Sequence, residues 1–279
     1  TYQTYFKNSP QIIPFIKRFL KRNQITIRAV QDISFTIKRG SIVGFIGSNG
    51  AGKSTTIKML TGTLYPSSGK LEVNGEIPFK RSINFRKKIS IVVGNKLQLF
   101  QDVSAMDYFQ LIGTLYEVEP AILQERIQEL SNLLNVKDQL YQQVRTLSLG
   151  QKMKMEFIAA SLTRPEILFL DEPTIGLDIQ SKKDIRTFLK KMNEECHTTI
   201  ILTSHDMDDI SSVCDELIVI DKGKIILQES MDVILSKFSD FKYLKIKMTL
   251  DLVPELCSVK GVVVISQTKS ECILKIPRD

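Results

Sequence analysis

The apolar run Ser41 to Gly47 breaks into Gly47-Ser48-Asn49-Gly50-Ala51-Gly52-Lys53-Ser54-Thr55, and a helix-forming stretch follows through Lys58 to Thr61, stopped by Gly62. This is the pattern G-x-x-x-x-G-K-S/T set between a strand and a helix. It constrains the fold more than any other feature, because the loop needs a buried strand behind it and a helix N-terminus in front. Glycines let the backbone wrap tightly enough to aim successive N–H groups at phosphate oxygens. The helix N-terminus adds partial positive charge at the same point. Lys53 then reaches the β- and γ-phosphates of a nucleotide, and the Ser54 hydroxyl ligates Mg²⁺.

The rest of the chain agrees with a covered, mostly parallel sheet. Ile33, Phe35 and Ile37 alternate with Ser34, Thr36 and Lys38, which predicts a strand ending near Gly40. Residues from about Asp102 to Gln142 are helix-rich, with Leu111, Leu115, Ile127, Leu130, Leu133 and Leu134 as the apolar set. Strand and helix signals then alternate: Ile167–Leu170, Ser181–Cys196, Thr198–Thr203, Met207–Cys214, Leu217–Ile220. Leu244 to Met248, Gly261 to Ser266 and Glu271 to Ile276 predict three further strands, a small α+β appendage. Near the start, Ile12, Phe15, Ile16, Phe19 and Leu20 recur at helical spacing with Lys17, Arg18, Lys21 and Arg22 between them. That is a short basic amphipathic helix, which either meets a membrane surface or a partner helix, or packs on its own domain.

Composition excludes some settings. The apolar runs are short, well under the roughly 18–20 residues that cross a bilayer. Cys196, Cys214, Cys257 and Cys272 are dispersed and two His cannot build a zinc site, so reduced thiols in a cytosolic compartment are expected. The net charge of +7 on 279 residues permits an anionic partner but is also compatible with an ordinary solvated surface.

Three further elements carry chemistry. Ile167-Leu168-Phe169-Leu170 predicts a central strand that ends in Asp171-Glu172, where ligands bind in open α/β sheets. Asp171 would sit in the Mg²⁺ shell, and Glu172 could polarise an attacking water. Ser148 and Gln151 stand three apart before an apolar-periodic helix, which is a capping box and also a helix N-terminus able to meet phosphate. His205 follows the β-rich run Thr199–Thr203, where it could hydrogen-bond a γ-phosphate. His197 sits in a polar turn and is read as surface.

Taken together, these residues resemble the nucleotide-binding subunit of an ATP-binding cassette (ABC) transporter, over roughly Thr1 to Leu227. Gly47–Thr55 looks like Walker A and Leu168–Glu172 like Walker B. Leu147-Ser148-Leu149-Gly150-Gln151 looks like the family signature, Pro173–Asp178 like the D-loop with Asp178 as its acid, and Thr203–Asp206 like the switch-histidine segment. The resemblance implies a P-loop ATPase core with an antiparallel β subdomain and a helical subdomain. It implies Glu172, His205, Lys53 and Asp178 in catalysis. Ser48, Asn49, Gly50, Ala51, Gly52, Lys53, Ser54 and Thr55 would bind ATP, and Ser54, Asn95 and Asp171 the Mg²⁺. Ser148, Gly150 and Gln151 would close on nucleotide held by a second copy.

The match has departures. The family has a Gln that contacts Mg²⁺ and the attacking water; Asn95 stands at its spacing before Leu99-Phe100, with Gln98 nearby as the alternative. Leu149 replaces a common Gly. Tyr2 best fits the aromatic that stacks on adenine, with Tyr5 as runner-up.

The expected organisation is an ATPase domain over 1–230, with a helical subdomain at about 100–162 and a basic insertion at about 8–24, and a small domain over 231–279. The resemblance is strongest to ATPases that serve ABC-2-type exporters. It implies a peripheral protein at the cytoplasmic face of the membrane, working with an integral permease and a second ATPase subunit, as a homodimer. The rival is an ABC ATPase acting on ribosomes or nucleic acid. It is disfavoured because one cassette is present and no heptads separate the Walker elements.

Overall fold

The computed structural model describes residues 2–5, 24–239, 241–247, 263–267 and 271–277. Two units are present, Thr1–Gln228 and Glu229–Asp279. The basic stretch expected at about 8–24 lies outside the described residues except for Gln24, which opens a strand.

In the first unit, β1 (Tyr2–Tyr5) pairs antiparallel with β2 (Gln24–Ile27). The central sheet starts with β3 (Ile42–Ile46), which feeds α1 (Lys53–Leu60). After α2 (Ile83–Lys88) come β4 (Ile89–Val93), α3 (Ala105–Leu115), α4 (Pro120–Leu133) and α5 (Leu149–Ser161). Then follow β5 (Ile167–Asp171), α6 (Ile179–Cys196), β6 (Thr199–Ser204), α7 (Met207–Val213), β7 (Glu216–Asp221) and β8 (Lys224–Ser230). The six strands lie in the order β4-β5-β6-β3-β7-β8, and the pairs β4–β5, β5–β6, β6–β3 and β3–β7 are parallel. Lys222 and Gly223, both at positive φ, make the two-residue link from β7 to β8, a turn that suits a hairpin.

Burial explains the apolar runs. The inner strands β3, β5 and β6 are buried almost throughout because both faces of a parallel sheet are covered. Val43, Phe45, Ile57, Phe169, Ile201 and Ile218 form one core beneath the phosphate loop. Helices α5 and α6 meet through a T-shaped Phe157–Phe188 pair with centroids 5.7 Å apart. They also share a buried ion pair, Lys154 Nζ to Asp184 Oδ2 at 2.5 Å.

Two expectations need correction. Ile33 to Ile37 form no ladder strand, although burial alternates along them and Phe35 and Ile37 pack on the core. Alternating side chains satisfied the packing there without cross-strand hydrogen bonds. Leu111 and Leu115 do not face the core: they are 41% and 64% exposed. The buried face of α3 is instead Ala105, Met106, Phe109 and Gly113, with Phe109 filling the interior and Gly113 lying under the Leu123 side chain of α4.

The second unit holds α8 (Met231–Ser239) and an antiparallel sheet of β9 (Phe241–Lys247), β10 (Val263–Gln267) and β11 (Glu271–Pro277), ordered β10-β11-β9. Cys272 and Leu274 on the central strand are buried.

Candidate nucleotide site

The loop after β3 is shaped by contacts that only small residues allow. Gly52 has φ of 113°, and a Cβ there would stand 2.7 Å from the Ala29 carbonyl oxygen. A side chain would therefore have to displace backbone. Gly52 caps α1 without a side-chain hydrogen bond. The first-turn N–H groups thus have no intrahelical partner and point out of the helix end, the arrangement that suits an anion. Ala51 N–H closes the turn onto Ser48 O at 3.0 Å. Ser48, Asn49 and Gly50 are exposed, while Lys53 is buried. Its ammonium donates to Gly47 O at 2.7 Å and Ser48 O at 3.4 Å, and lies 3.6 Å from Glu172 Oε1.

The parallel register brings the other groups to the same edge. Asp171 on β5 lies beside Thr203 on β6 and Val93 on β4. Ser54 Oγ donates to Asp171 Oδ1 at 3.0 Å, and Thr203 Oγ1 donates to the same oxygen at 2.7 Å. Glu172 then turns left-handed, at φ of 53°. Such a conformation costs a non-glycine residue on the order of 1–3 kcal/mol. Its one N–H is shared between Thr203 O at 3.1 Å and Thr203 Oγ1 at 3.0 Å, a three-centre bond worth roughly 0.5–1.5 kcal/mol, which offsets part of it. The turn aims the carboxylate back at the loop: Oε1 faces Lys53, and Oε2 lies 2.5 Å from His205 Nδ1. Lys53, Ser54, Asp171, Glu172 and His205 are thereby brought together. The hard oxygens of Ser54 and Asp171, adjacent and partly open to solvent, form a donor set that fits Mg²⁺.

The backbone separates the two candidates after β4. Gly94 N–H donates to Asp171 O at 2.9 Å, and a Cβ on Gly94 would stand 1.9 Å from Glu172 O. Asn95 therefore leaves β4 right beside the acidic turn, with its side chain exposed. Gln98 instead donates its amide to Ile91 O at 2.9 Å.

The signature turn folds as the capping box predicts. Ser148 Oγ accepts from Gln151 N–H at 3.2 Å, and Gln151 Oε1 accepts from Ser148 N–H at 2.9 Å. Ser148 and Leu149 are exposed, whereas Gly150 is buried against α6. A Cβ on Gly150 would stand 2.3 Å from Ser181 Oγ and 3.1 Å from Asp178 Oδ2. Asp178 caps α6, accepting from Ser181 N–H at 2.9 Å and Ser181 Oγ at 2.7 Å. Those bonds, the hydroxyl's first, hold its carboxyl below the ordinary value. Tyr2 lies in β1, paired with Ile27. His197 ends α6 as an exposed left-handed cap.

Some polar anchors escape the sequence motifs. Glu156 of α5 is 4% exposed and accepts backbone N–H groups from Gln98 and from Leu99, the latter at 2.8 Å. Burial raises its pKa, and the Leu99 and Gln98 bonds act against that rise. Asp209 of α7, almost fully buried, accepts from Thr174 Oγ1 at 2.5 Å and from Arg186. Lys182 bonds Asp206, next to His205, at 2.7 Å. Glu156 stands between the apolar Met155 and Phe157, a local signal that could have marked it; Asp209, beside Asp208, and Lys182, between Ser181 and Lys183, carry none.

Comparison with known proteins gives the family. The family model described as "ABC transporter" matches residues 30–175. The chain is 32% identical to the ABC transporter ATP-binding protein NatA of Bacillus subtilis (strain 168), over 77% of this chain and 87% of that protein. It is 34% identical to the linearmycin resistance ATP-binding protein LnrL of the same organism, over 71% of this chain, and spans 63% of LnrL. Among solved structures it resembles cbiO1 from Clostridium perfringens, part of the ABC transporter complex cbiONQ. The TM-score is 0.67 and the identity 29%, over 75% of this chain and 85% of that one.

Proposed function

The chain belongs to the ABC transporter family as an ATP-binding, ATP-hydrolysing subunit, and from that membership we propose that it powers export through a separate ABC-2-type membrane subunit. The observation that carries the chemistry is the convergence of Lys53, Asp171, Glu172 and His205 at the ends of β3, β5 and β6. The loop amides after Gly47 and the Lys53 ammonium bind the phosphates of ATP. Glu172, held between Lys53 and His205, takes a proton from the attacking water as general base. His205 uses one ring nitrogen on Glu172 and keeps the other for the γ-phosphate. Ser54, Asp171 and the Asn95 amide would hold Mg²⁺, which when bound neutralises charge on the phosphates. Asp178 shapes the segment facing a second copy, and Ser148, Gly150 and Gln151 of that copy complete the site. Tyr2 stacks on the adenine.

Support for a membrane partner comes from two sides. No helix among the described residues is long and apolar enough to cross a membrane, so a span must come from outside them. Along α3, Tyr108, Leu111 and Leu115 follow helical spacing, and the exposed Phe100 ring packs edge-on to Tyr108 at 5.3 Å. An exposed apolar stripe of that kind suits a protein partner. The name of LnrL, a resistance protein, favours export. On this reading the subunit is a homodimer, peripheral at the cytoplasmic face, and the basic stretch at 8–24 adds a membrane-surface contact. Action on ribosomes or nucleic acid is less favoured, because the longest helix described between Lys53 and Asp171 is α4, of 14 residues, too short for a coiled-coil arm.

The test is what copurifies with the tagged chain from native membranes. A polytopic membrane protein is expected. Recovery with ribosomes or nucleic acid, and no membrane protein, would overturn the assignment.

A further inference from the structure

We propose that Thr203 is a positioning residue of the hydrolytic centre, setting both acids with a single hydroxyl. Its Oγ1 donates to Asp171 Oδ1 at 2.7 Å and accepts the Glu172 N–H at 3.0 Å. A hydroxyl has one proton to give and lone pairs to receive, so both bonds form at once. The residue is fully buried, and water does not compete for either bond. The hydroxyl orients the carboxylate that Ser54 also meets, and it pins the N–H of the left-handed Glu172 turn.

The position follows from the sheet. Thr203 is the register partner of Asp171 across β5–β6, and His205 follows two residues later on the same chain segment. Glu172 Oε2 in turn meets His205. The end of β6 therefore holds Asp171, Glu172 and His205 as one block. A valine at 203 would keep the branched shape that a strand favours and would remove both bonds. The Glu172 N–H would keep the Thr203 carbonyl at 3.1 Å, so the fold would survive while the acids lose their setting.

This inference rests on Asp171 and Glu172 being the metal-side and general-base acids, so Glu172→Gln is run beside it. Thr203→Val and Thr203→Ser are compared with the unchanged chain in three measurements. These are kcat and KM for ATP, the Mg²⁺ concentration at half-maximal affinity for a fluorescent ATP analogue, and thermal unfolding. Thr203→Val should lower kcat about tenfold or more, the effect of about 1.4 kcal/mol at the transition state. It should raise the Mg²⁺ requirement for binding, leave KM near that of the parent, lower the unfolding midpoint by no more than about a few degrees, and be rescued by Thr203→Ser. Should the valine variant fail to fold, Thr203→Ala carries the same comparison. Unchanged kcat and Mg²⁺ requirement in Thr203→Val, or equal loss in the serine variant, would overturn the proposal. Retained turnover in Glu172→Gln would instead show that the acid roles themselves are wrong.

Discussion

Replacing Glu156 with alanine should destabilise the first unit by about 2–4 kcal/mol. Its carboxylate accepts two backbone N–H groups, Gln98 and Leu99, and Leu99 is almost fully buried. Removing the acceptor leaves one donor stranded in the interior and one partly covered, and a stranded buried donor costs about 1–3 kcal/mol. Glutamine keeps an acceptor oxygen but loses the charge, so Glu156→Gln should lose less than half as much. The two variants also differ in pH response. Burial raises the Glu156 pKa above the ordinary carboxylate value. Between that value and the raised one, the folded chain holds a proton that the unfolded chain has released. Stability contributed here therefore falls as pH rises through that window, and is greatest below it. Glu156→Gln should flatten the slope. Urea unfolding at several pH values reads both effects, and hydrogen exchange at Leu99 locates the lost bond. An alanine variant within about 0.5 kcal/mol of the parent, the range typical of an exposed surface change, would refute the anchoring argument.

Other outcomes follow from the same geometry. Glu172→Gln should bind ATP but lose roughly 10²–10⁴ in turnover, measured as phosphate release. Asn95→Ala should impair Mg²⁺-dependent turnover more than Gln98→Ala, because Asn95 leaves β4 beside the acidic turn while Gln98 is bonded to Ile91 O; the reverse order in a Mg²⁺ titration would exchange their roles. Lys154→Met should cost about 3–5 kcal/mol in denaturant unfolding, since it leaves the buried Asp184 charge uncompensated with only the Gln180 amide as partner.

The site was legible where chemistry forces a local pattern. A phosphate loop needs glycine, lysine and hydroxyl residues at fixed spacing, and Ser148 with Gln151 wrote its capping box directly into the sequence. The acids at the end of β5 could be placed because a run as apolar as Ile167–Leu170 has to be an inner strand. What stayed hidden depends on neighbours distant in the chain. Thr203 reads as an ordinary strand residue until β6 lies beside β5. Glu156 has apolar neighbours in the sequence, but its partners show only when the loop after β4 folds onto it. The apolar count along α3 misplaced Leu111 and Leu115, since periodicity finds an apolar stripe without saying which molecule covers it. Ile33 to Ile37 show the same limit for strands, where alternation set the burial and hydrogen bonding did not follow.

Gly150 has a bearing on how this chain can change. It touches Ser181, the residue through which Asp178 caps α6, while it also lies in the first turn of α5. Two helices thus begin at one shared corner with no room between them. A mutation that adds even a methyl at 150 pushes Ser181 off Asp178, so it damages the start of α6 as well as that of α5. Variation at 150 is therefore tied to 181: a larger residue becomes admissible at 150 only once 181 has lost its hydroxyl. The signature turn and the first turn of α6 must drift together, as if they were a single position written in two places.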